Sequence, residues 1–347
     1  KTFFASSILL ILATVSVFAG DVTLSAISIS SDGSTGWALG GNSSGPLFFK
    51  LEKGGWTKDT TMNFLRKTKF TPSAICISAD GKKAYASGYK NNTGRIYEYD
   101  GSKWNNANPG DTNNIHINSI CCSSTGDKAW AVGSDGNKTF LWKMDFGKWS
   151  KSIITFKDTP TTWDISKIQQ SKNGQKLFAI GQARYGSLHN TGLFLKFENN
   201  KWQMIDLKPL ANTPPHRTNG FTDIYVDPSG SEILVAGWKF YYPEKGKKEE
   251  ILPMLCRYDG KTLSEIKMDK LPAIIEFTKA GGKIYAISPE ENGFAIFCHN
   301  GKVWQKSAFF NGMEMNSISF SNDGQTGFIT GMKSVKNKKN PTIIQYM

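Results

Sequence analysis

The sequence predicts an all-β fold, a seven-bladed β-propeller of four-stranded antiparallel blades, and three observations carry that prediction. A Gly-x-x-x-aromatic step recurs at Gly33/Trp37, Gly81/Tyr85, Gly126/Trp130, Gly174/Phe178, Gly281/Tyr285 and Gly324/Phe328, with Gly230/Leu234 as an aliphatic copy. A second glycine stands three residues later at Gly40, Gly88, Gly133, Gly181, Gly237 and Gly331; the sixth copy departs, with Ser288. From one marker residue to the next the chain advances 48, 45, 48, 56, 51 and 43 residues, which is room for four short strands and their turns.

Each copy has one internal order. An Ile-led run such as ISIS (27–30) or ISFS (318–321) ends in a Ser/Asp/Asn–Gly turn, as strands joined by tight hairpins do. The marker strand follows, GWALG (36–40) or AWAVG (129–133), and then a variable loop. The third strand is RIYEY (95–99), TFLWKM (139–144) or LFLKF (193–197). A short turn brings in the Trp that opens the fourth strand: Trp56, Trp104, Trp149, Trp202 and Trp304. The fifth copy lacks that Trp, and its fourth strand is expected near Leu263. Aromatics supply the apolar faces by which blades pack, and glycines let backbones approach.

A solenoid, the competing repeat architecture, needs atypical capping repeats at both ends. Here the ends fit each other instead. Repeat seven stops after its third strand, TIIQYM (342–347), and DVTLS (21–25) reads as a spare strand before repeat one. That N-terminal strand is expected to complete the last blade and close the ring.

Residues 1–19 read as a secretory signal peptide: Lys1, the apolar run ILLILATVSVF (8–18), and VFA before Gly20. The run is shorter than the ~20 residues of a spanning helix. Residues 20–347 are therefore expected to form a single propeller domain, exported to a periplasm or the outside medium, without a membrane span.

The net charge is +13, and only five of the 42 basic residues are Arg. Lysine is a strongly hydrated point charge that suits loose attraction to anionic surfaces, whereas forked recognition of phosphates or bases uses Arg. No specific nucleic-acid partner is expected, and the Lys-rich KSVKNKKN (333–340) reads as an exposed loop. The five cysteines, Cys76, Cys121, Cys122, Cys256 and Cys298, leave at least one thiol without an intrachain partner. With no C-x-x-C and no His at ligand spacing, a zinc site is not expected, and buried free thiols are the expected state of most.

In a blade, the turns between strands one and two and between three and four share one face. Here they are tight: SDGS (31–34), ADGK (79–82), DGSK (100–103), NDGQ (322–325). The other face takes the length, in QARYGSLHNT (182–191), LKPLANTPPHRTNGF (207–221) and WKFYYPEKGKKEE (238–250). Loops held by a rigid scaffold are where binding residues concentrate. These three bring Arg184, Tyr185, His189, His216, Arg217, Trp238, Tyr241 and Tyr242 to the junction of blades four and five, an expected groove for a protein, glycan or anionic ligand.

A second cluster is weaker. His116, Asp164 and Glu314 hold matching places in repeats three, four and seven, where other repeats have Gly220, Thr71 and Thr23. Ringing the channel mouth they would offer a cation mixed imidazole and carboxylate ligands. The reading adopted is solvated rim residues, with no metal and no cofactor. Asn42, Asn91 and Asn137 stand in Asn-x-Ser/Thr sites on loops between strands two and three, exposed to glycosylation if the host performs it.

Catalytic patterns are thin. SSDGSTGW (30–37) resembles the Asp-box of sialidase-type propellers with its Gly one residue early, and that box stabilises a turn. A sialidase-type three-Arg clamp would have to draw on Arg184, Arg217 and Arg257, which fall in neighbouring blades. No serine-hydrolase elbow and no paired carboxylates at a pocket are evident.

The phrases SSDGSTGWALGG…GGW and SSTGDKAWAVGS…GKW resemble the BNR-like propellers of the photosystem II assembly-factor type. The resemblance spans all seven repeats. It implies a seven-bladed, non-enzymatic scaffold that holds other proteins through its faces. That family's Arg-rich patch has no counterpart here, so its photosynthetic partner does not carry over. YEYDGSKW (97–104) is similar to fungal-type fucose lectins, whose repeated Arg-and-Glu sugar clamp is missing. The sequence thus reads as an exported propeller that binds a protein on its long-loop face. A carbohydrate-binding propeller is the second reading and a sialidase-like glycoside hydrolase the third.

Overall fold

The computed structural model describes residues 23–346 apart from 43–44, 63–64, 66–69, 108, 156–161, 185–189, 206, 208–218, 242–249, 269 and 336–337. Seven antiparallel sheets follow one another. Blade one holds β1–β4 (Thr23–Ile29, Gly36–Asn42, Gly45–Glu52, Gly55–Lys58), and blade two β5–β8 (Phe70–Ile77, Ala84–Lys90, Thr93–Tyr99, Trp104–Asn106). Blade three holds β9–β12 (His116–Cys122, Lys128–Ser134, Thr139–Asp145, Lys148–Ile153), and blade four β13–β16 (Thr162–Gln170, Leu177–Arg184, Asn190–Glu198, Lys201–Met204). Blade five holds β17–β20 (Asn219–Val226, Ile233–Tyr241, Glu250–Tyr258, Leu263–Glu265), and blade six β21–β24 (Glu276–Ala280, Lys283–Glu290, Gly293–His299, Trp304–Asn311). Among the described residues blade seven has three strands, β25–β27 (Met313–Phe320, Gly327–Val335, Lys338–Tyr346). The first strand of every blade neighbours those of the blades before and after it, and β1 neighbours β25, so the ring is closed.

The recurring turn is held by its own side chains. Ser30 Oγ donates to Asp32 Oδ1 at 2.6 Å and accepts the Thr35 N–H at 3.1 Å. Ser78, Ser171 and Ser321 repeat this with Asp80, Asn173 and Asp323. In blade five Asp227 takes the serine's place and accepts the Glu232 N–H at 2.8 Å. Gly33 sits at φ +72°, in the left-handed region that residues with a Cβ avoid.

These turns are chained around the axis. Ser31 N–H donates to Ala79 O, Ala79 N–H to Ser124 O, Ser124 N–H to Lys172 O, and Lys172 N–H to Pro228 O, at 2.7–3.0 Å. Gly281 N–H donates to Asn322 O at 3.0 Å, and Asn322 N–H returns to Ser31 O at 2.9 Å. The break falls between blades five and six, where Pro228 has no N–H to give. An ion pair of Lys279 with Glu232 bridges that junction instead.

The second glycine answers to a β-bulge in the first strand of its own blade. A Cβ on Gly40 would stand 1.8 Å from Thr23 O, and the register slips between Leu24 and Ala26. Gly88, Gly133, Gly181, Gly237 and Gly331 meet the carbonyls of Thr71, His116, Asp164, Gly220 and Glu314 in the same way, at 1.9–2.3 Å. Blade six pairs β21 with β22 without a register shift, so Ser288 is accommodated there.

Fourth-strand Trp residues fill the gaps between blades. Trp56 packs edge-on against Phe328 of blade seven (5.2 Å between centroids), Trp104 against Trp37 (5.1 Å) and Trp149 against Tyr85 (6.1 Å). Leu263, where the fifth copy lacks its Trp, is fully buried in the cluster between blades four and five.

Two expectations are corrected. DVTLS is not a spare strand closing blade seven: Thr23 and Leu24 belong to β1 and pair with Gly41 and Gly40 in blade one. Among the described residues the open side of blade seven is covered by a side chain of its own first strand. Phe320 stacks on Tyr285 of blade six at 4.1 Å and lies against Gly327, the register at which Trp56 meets Gly36 in blade one. Other blades carry Ile29, Ile77, Cys122, Gln170, Val226 and Lys279 at this place. The ring of Phe320 thus covers the surface that a fourth-strand Trp would cover. The second correction concerns KSVKNKKN, which is largely hairpin: β26 and β27 run into it, and Val335 pairs with Lys338.

Candidate binding cavity on the loop face

The two faces differ in what they leave open. On the turn face the chained backbone bonds surround the axis, and Lys172 reaches across it: its Nζ donates to Ser31 Oγ at 3.0 Å and Asn322 Oδ1 at 2.8 Å. Burial lowers its pKa. Behind it the seven first strands enclose a channel cavity of about 590 Å³. One register position per blade forms a layer in this channel: Ala26, Ala74, Ser119, Lys167, Asp223, Glu276 and Ser317.

Lys167 Nζ lies 2.8 Å from Asp223 Oδ1 and 3.1 Å from Glu276 Oε2. Burial opposes its charge, but the two carboxylates outweigh that and hold its pKa above the usual lysine range. The second oxygens are also occupied: Asp223 Oδ2 accepts the Phe277 N–H at 2.7 Å, and Glu276 Oε1 accepts from Ser317 Oγ at 2.7 Å and Ile318 N at 3.1 Å. This network binds blades four to seven to one another and leaves its carboxylates saturated.

The loop face carries an open cavity of about 660 Å³ between blades three and four. The bulged start of β9 supplies His116 and Asn118, the β10–β11 turn supplies Asp135, and paired ends of β13 and β14 supply Asp164, Gln182 and Arg184. Asp164 lies opposite Gln182, and Thr162 opposite Arg184. Asn118 Nδ2 ties the walls by donating to Asp164 Oδ1 at 3.3 Å and Ile165 O at 3.1 Å. Burial raises the pKa of Asp164. Asp135 moves the other way, because its carboxylate accepts the Lys138 and Asn137 N–H groups at 2.7 and 2.8 Å. His116 stacks flat on Tyr89, with centroids 4.2 Å apart and planes 3° apart. The wall therefore mixes one guanidinium, two carboxylates, three amides and an imidazole. It suits hydrogen bonding to a polar ligand.

Two separate expectations meet here. Arg184 of the loop cluster lines the same cavity as His116 and Asp164, while Glu314 lies in β25 of blade seven. Among the described residues no three His, Cys, Asp or Glu are grouped to hold a metal ion. Trp238 is half-buried, lies over Gly220 and packs edge-on against Phe240 at 5.0 Å. The backbone of Tyr241 pairs with Glu250. Tyr185, His189, His216, Arg217 and Tyr242 lie outside the described residues. Arg184 and Arg257 cannot share a clamp: Arg184 ends β14 on the loop face, whereas Arg257 pairs with Leu234 near the turn face and contacts Glu232. Asn91 and Asn137 are exposed in turns on the loop face.

Asn118, Asp135 and Gln182 were not singled out in the sequence. The signal that finds Asn118 is the bulge register, two residues past the carbonyl that faces the second glycine. No helix among the described residues is long and apolar enough to cross a membrane.

No family model and no curated protein matches the chain. Solved structures do. The β-propeller domain of the Trilobed protease from Pyrococcus furiosus, described as having an open velcro topology, is similar with a TM-score of 0.62 at 14% identity, over 94% of this chain and 95% of that one. Hydrazine synthase of Kuenenia stuttgartiensis gives 0.63 at 15% identity, over 99% of both chains. The Cps50 (Swd1) β-propeller domain of Myceliophteria thermophila gives 0.60 at 10% identity, over 97% and 99%. At such identities the likeness establishes the propeller fold alone.

Proposed function

We propose that this chain is an exported, non-enzymatic propeller of BNR-like type that binds a protein partner on its loop face, anchored in the cavity between blades three and four. The observation that supports this most is the asymmetry of the ring. The turn face is occupied by bonds between turns and by Lys172, while the loop face offers a mixed-charge polar cavity. A partner's polar side chain entering it would meet Arg184 on one wall and Asp135 and Asp164 on others, with Asn118 and Gln182 able both to give and to accept hydrogen bonds. Export rests on the signal-like residues 1–19, and the scaffold role on the family resemblance.

Site-specific crosslinking tests the reading. A photoreactive residue at Gln182 should capture one protein that a residue at Lys82 does not, and Arg184→Glu should abolish the capture. Capture from both positions, or capture indifferent to Arg184→Glu, would reject it.

A carbohydrate ligand is favoured by one observation, the flat His116–Tyr89 pair beside hydrogen-bonding groups, a surface on which a sugar ring can stack. A glycan array decides between the two: binding lost in both Arg184→Glu and His116→Ala supports the sugar.

A further inference from the structure

We infer that Cys76 and Cys122 form a disulfide site that ties the first strands of blades two and three together on the channel wall. The argument is one of register. Cys76, Gln169 and Ser319 each lie opposite their blade's marker aromatic: Tyr85, Phe178 and Phe328. From this place the side chain reaches the next blade. Gln169 Oε1 accepts the Val226 N–H at 2.7 Å, and Ser319 Oγ accepts the Ile29 N–H at 3.2 Å.

Val226 and Ile29 hold, in their blades, the register that Cys122 holds in blade three. The same contact between blades two and three therefore directs the Cys76 side chain to the Cys122 position, and Cys122 is among the groups that raise the Cys76 pKa. Both line the channel, half-buried, against one apolar cluster. The other thiols point elsewhere: Cys121 into the cluster between blades three and four, Cys256 into that between four and five, and Cys298 against that of six and seven. One pair and three single thiols account for the odd count.

The chemistry is thiol–disulfide exchange with an oxidant of the disulfide class. One cysteine attacks as thiolate and releases half of the oxidant as a thiol; the second cysteine displaces the other half. Two protons and two electrons leave with the oxidant as two thiols, and the S–S bond remains. Burial beside Cys122 holds Cys76 as the neutral thiol, so exchange should quicken as the pH rises.

The test uses the full purified chain, folded and either reduced or treated with oxidised glutathione, then unfolded and alkylated. Five alkylated thiols are expected when reduced. Three are expected after oxidation, with a peptide that links Cys76 to Cys122. Cys121→Ser should keep the link, and Cys76→Ser should lose it with all four remaining thiols alkylated. The oxidised native chain should also melt at a higher temperature than the reduced one. Five alkylated thiols after oxidation, stable glutathione adducts, or a link involving Cys121 would overturn the inference. These readouts need only the native chain, so they hold even if Cys76→Ser fails to fold.

Discussion

The backbone N–H of Asn322 donates to the carbonyl of Ser31 at 2.9 Å, joining the seventh turn of the ring to the first. Residues 309 apart in blades one and seven are tied by a second contact, Thr23 Oγ1 to Met332 Sδ. Closure of the described ring thus rests on bonds between turns, on bonds of the Ser319 and Asn316 side chains with β1, and on packing. Lys172 reinforces the same junction from the far side of the axis, through Ser31 and Asn322.

Replacing Lys172 with Met should therefore destabilise the fold by roughly 1–2 kcal/mol, since it removes two charge-assisted bonds at a partly exposed site. Lys82→Met, at a side chain 81% exposed, should change nothing measurable. Urea unfolding of the two variants makes the comparison.

Neighbouring glycines should respond unequally to the same substitution. A Cβ on Gly40 meets Thr23 O at 1.8 Å, whereas one on Gly41 meets nothing closer than 3.4 Å. Gly40→Ala should cost about 3 kcal/mol and Gly41→Ala under ~1 kcal/mol, by the ordinary penalties for overpacking. Thermal unfolding followed by circular dichroism reads both.

Phe320→Ala should uncover Tyr285 and leave blade seven without its substitute for a fourth-strand Trp. The loss should be about 3–4 kcal/mol, as for other large aromatics removed from a core. Phe320→Leu should recover part of it, and guanidinium titration distinguishes the variants.

Acid should weaken the turns. Asp32, Asp80 and Asp323 are held below the usual carboxylate range, first by the hydroxyls of Ser30, Ser78 and Ser321 and then by backbone N–H groups. Their folded pKa values lie below the unfolded ones, so the stabilisation is complete above about pH 4 and lost as the pH falls through the folded values. Melting temperatures measured from pH 6 down to pH 2 should fall less steeply in Asp80→Asn than in the native chain.

Much of this fold was legible in the sequence because the first glycine recurs seven times at one spacing, with the aromatic and the second glycine six times each. Trp104 and Trp304 open their strands as read, and Leu263 replaces the missing Trp. The misreading of DVTLS has a physical cause. A bulge at Ser25 shifts the two-residue alternation, so Leu24 packs with Ile27 and Ile29 toward blade seven while Ala26 turns toward blade two, and one strand looks like two. The channel network was hidden for the same reason, although Lys167, Asp223 and Glu276 follow one another at a single register. At the cavity, Arg184 stood out as a rare residue type. Asn118 and Gln182 look like ordinary strand-end residues until the bulge and the pairing of β13 with β14 bring them together.

The central claim, binding through the cavity between blades three and four, is tested most directly by amide hydrogen exchange on the complex with the crosslinked partner. The account predicts slowed exchange at 114–118, 134–136, 162–164 and 182–184. Protection confined to the turns at 31–34, 79–82 and 322–325, with the cavity exchanging as in the free chain, would contradict it.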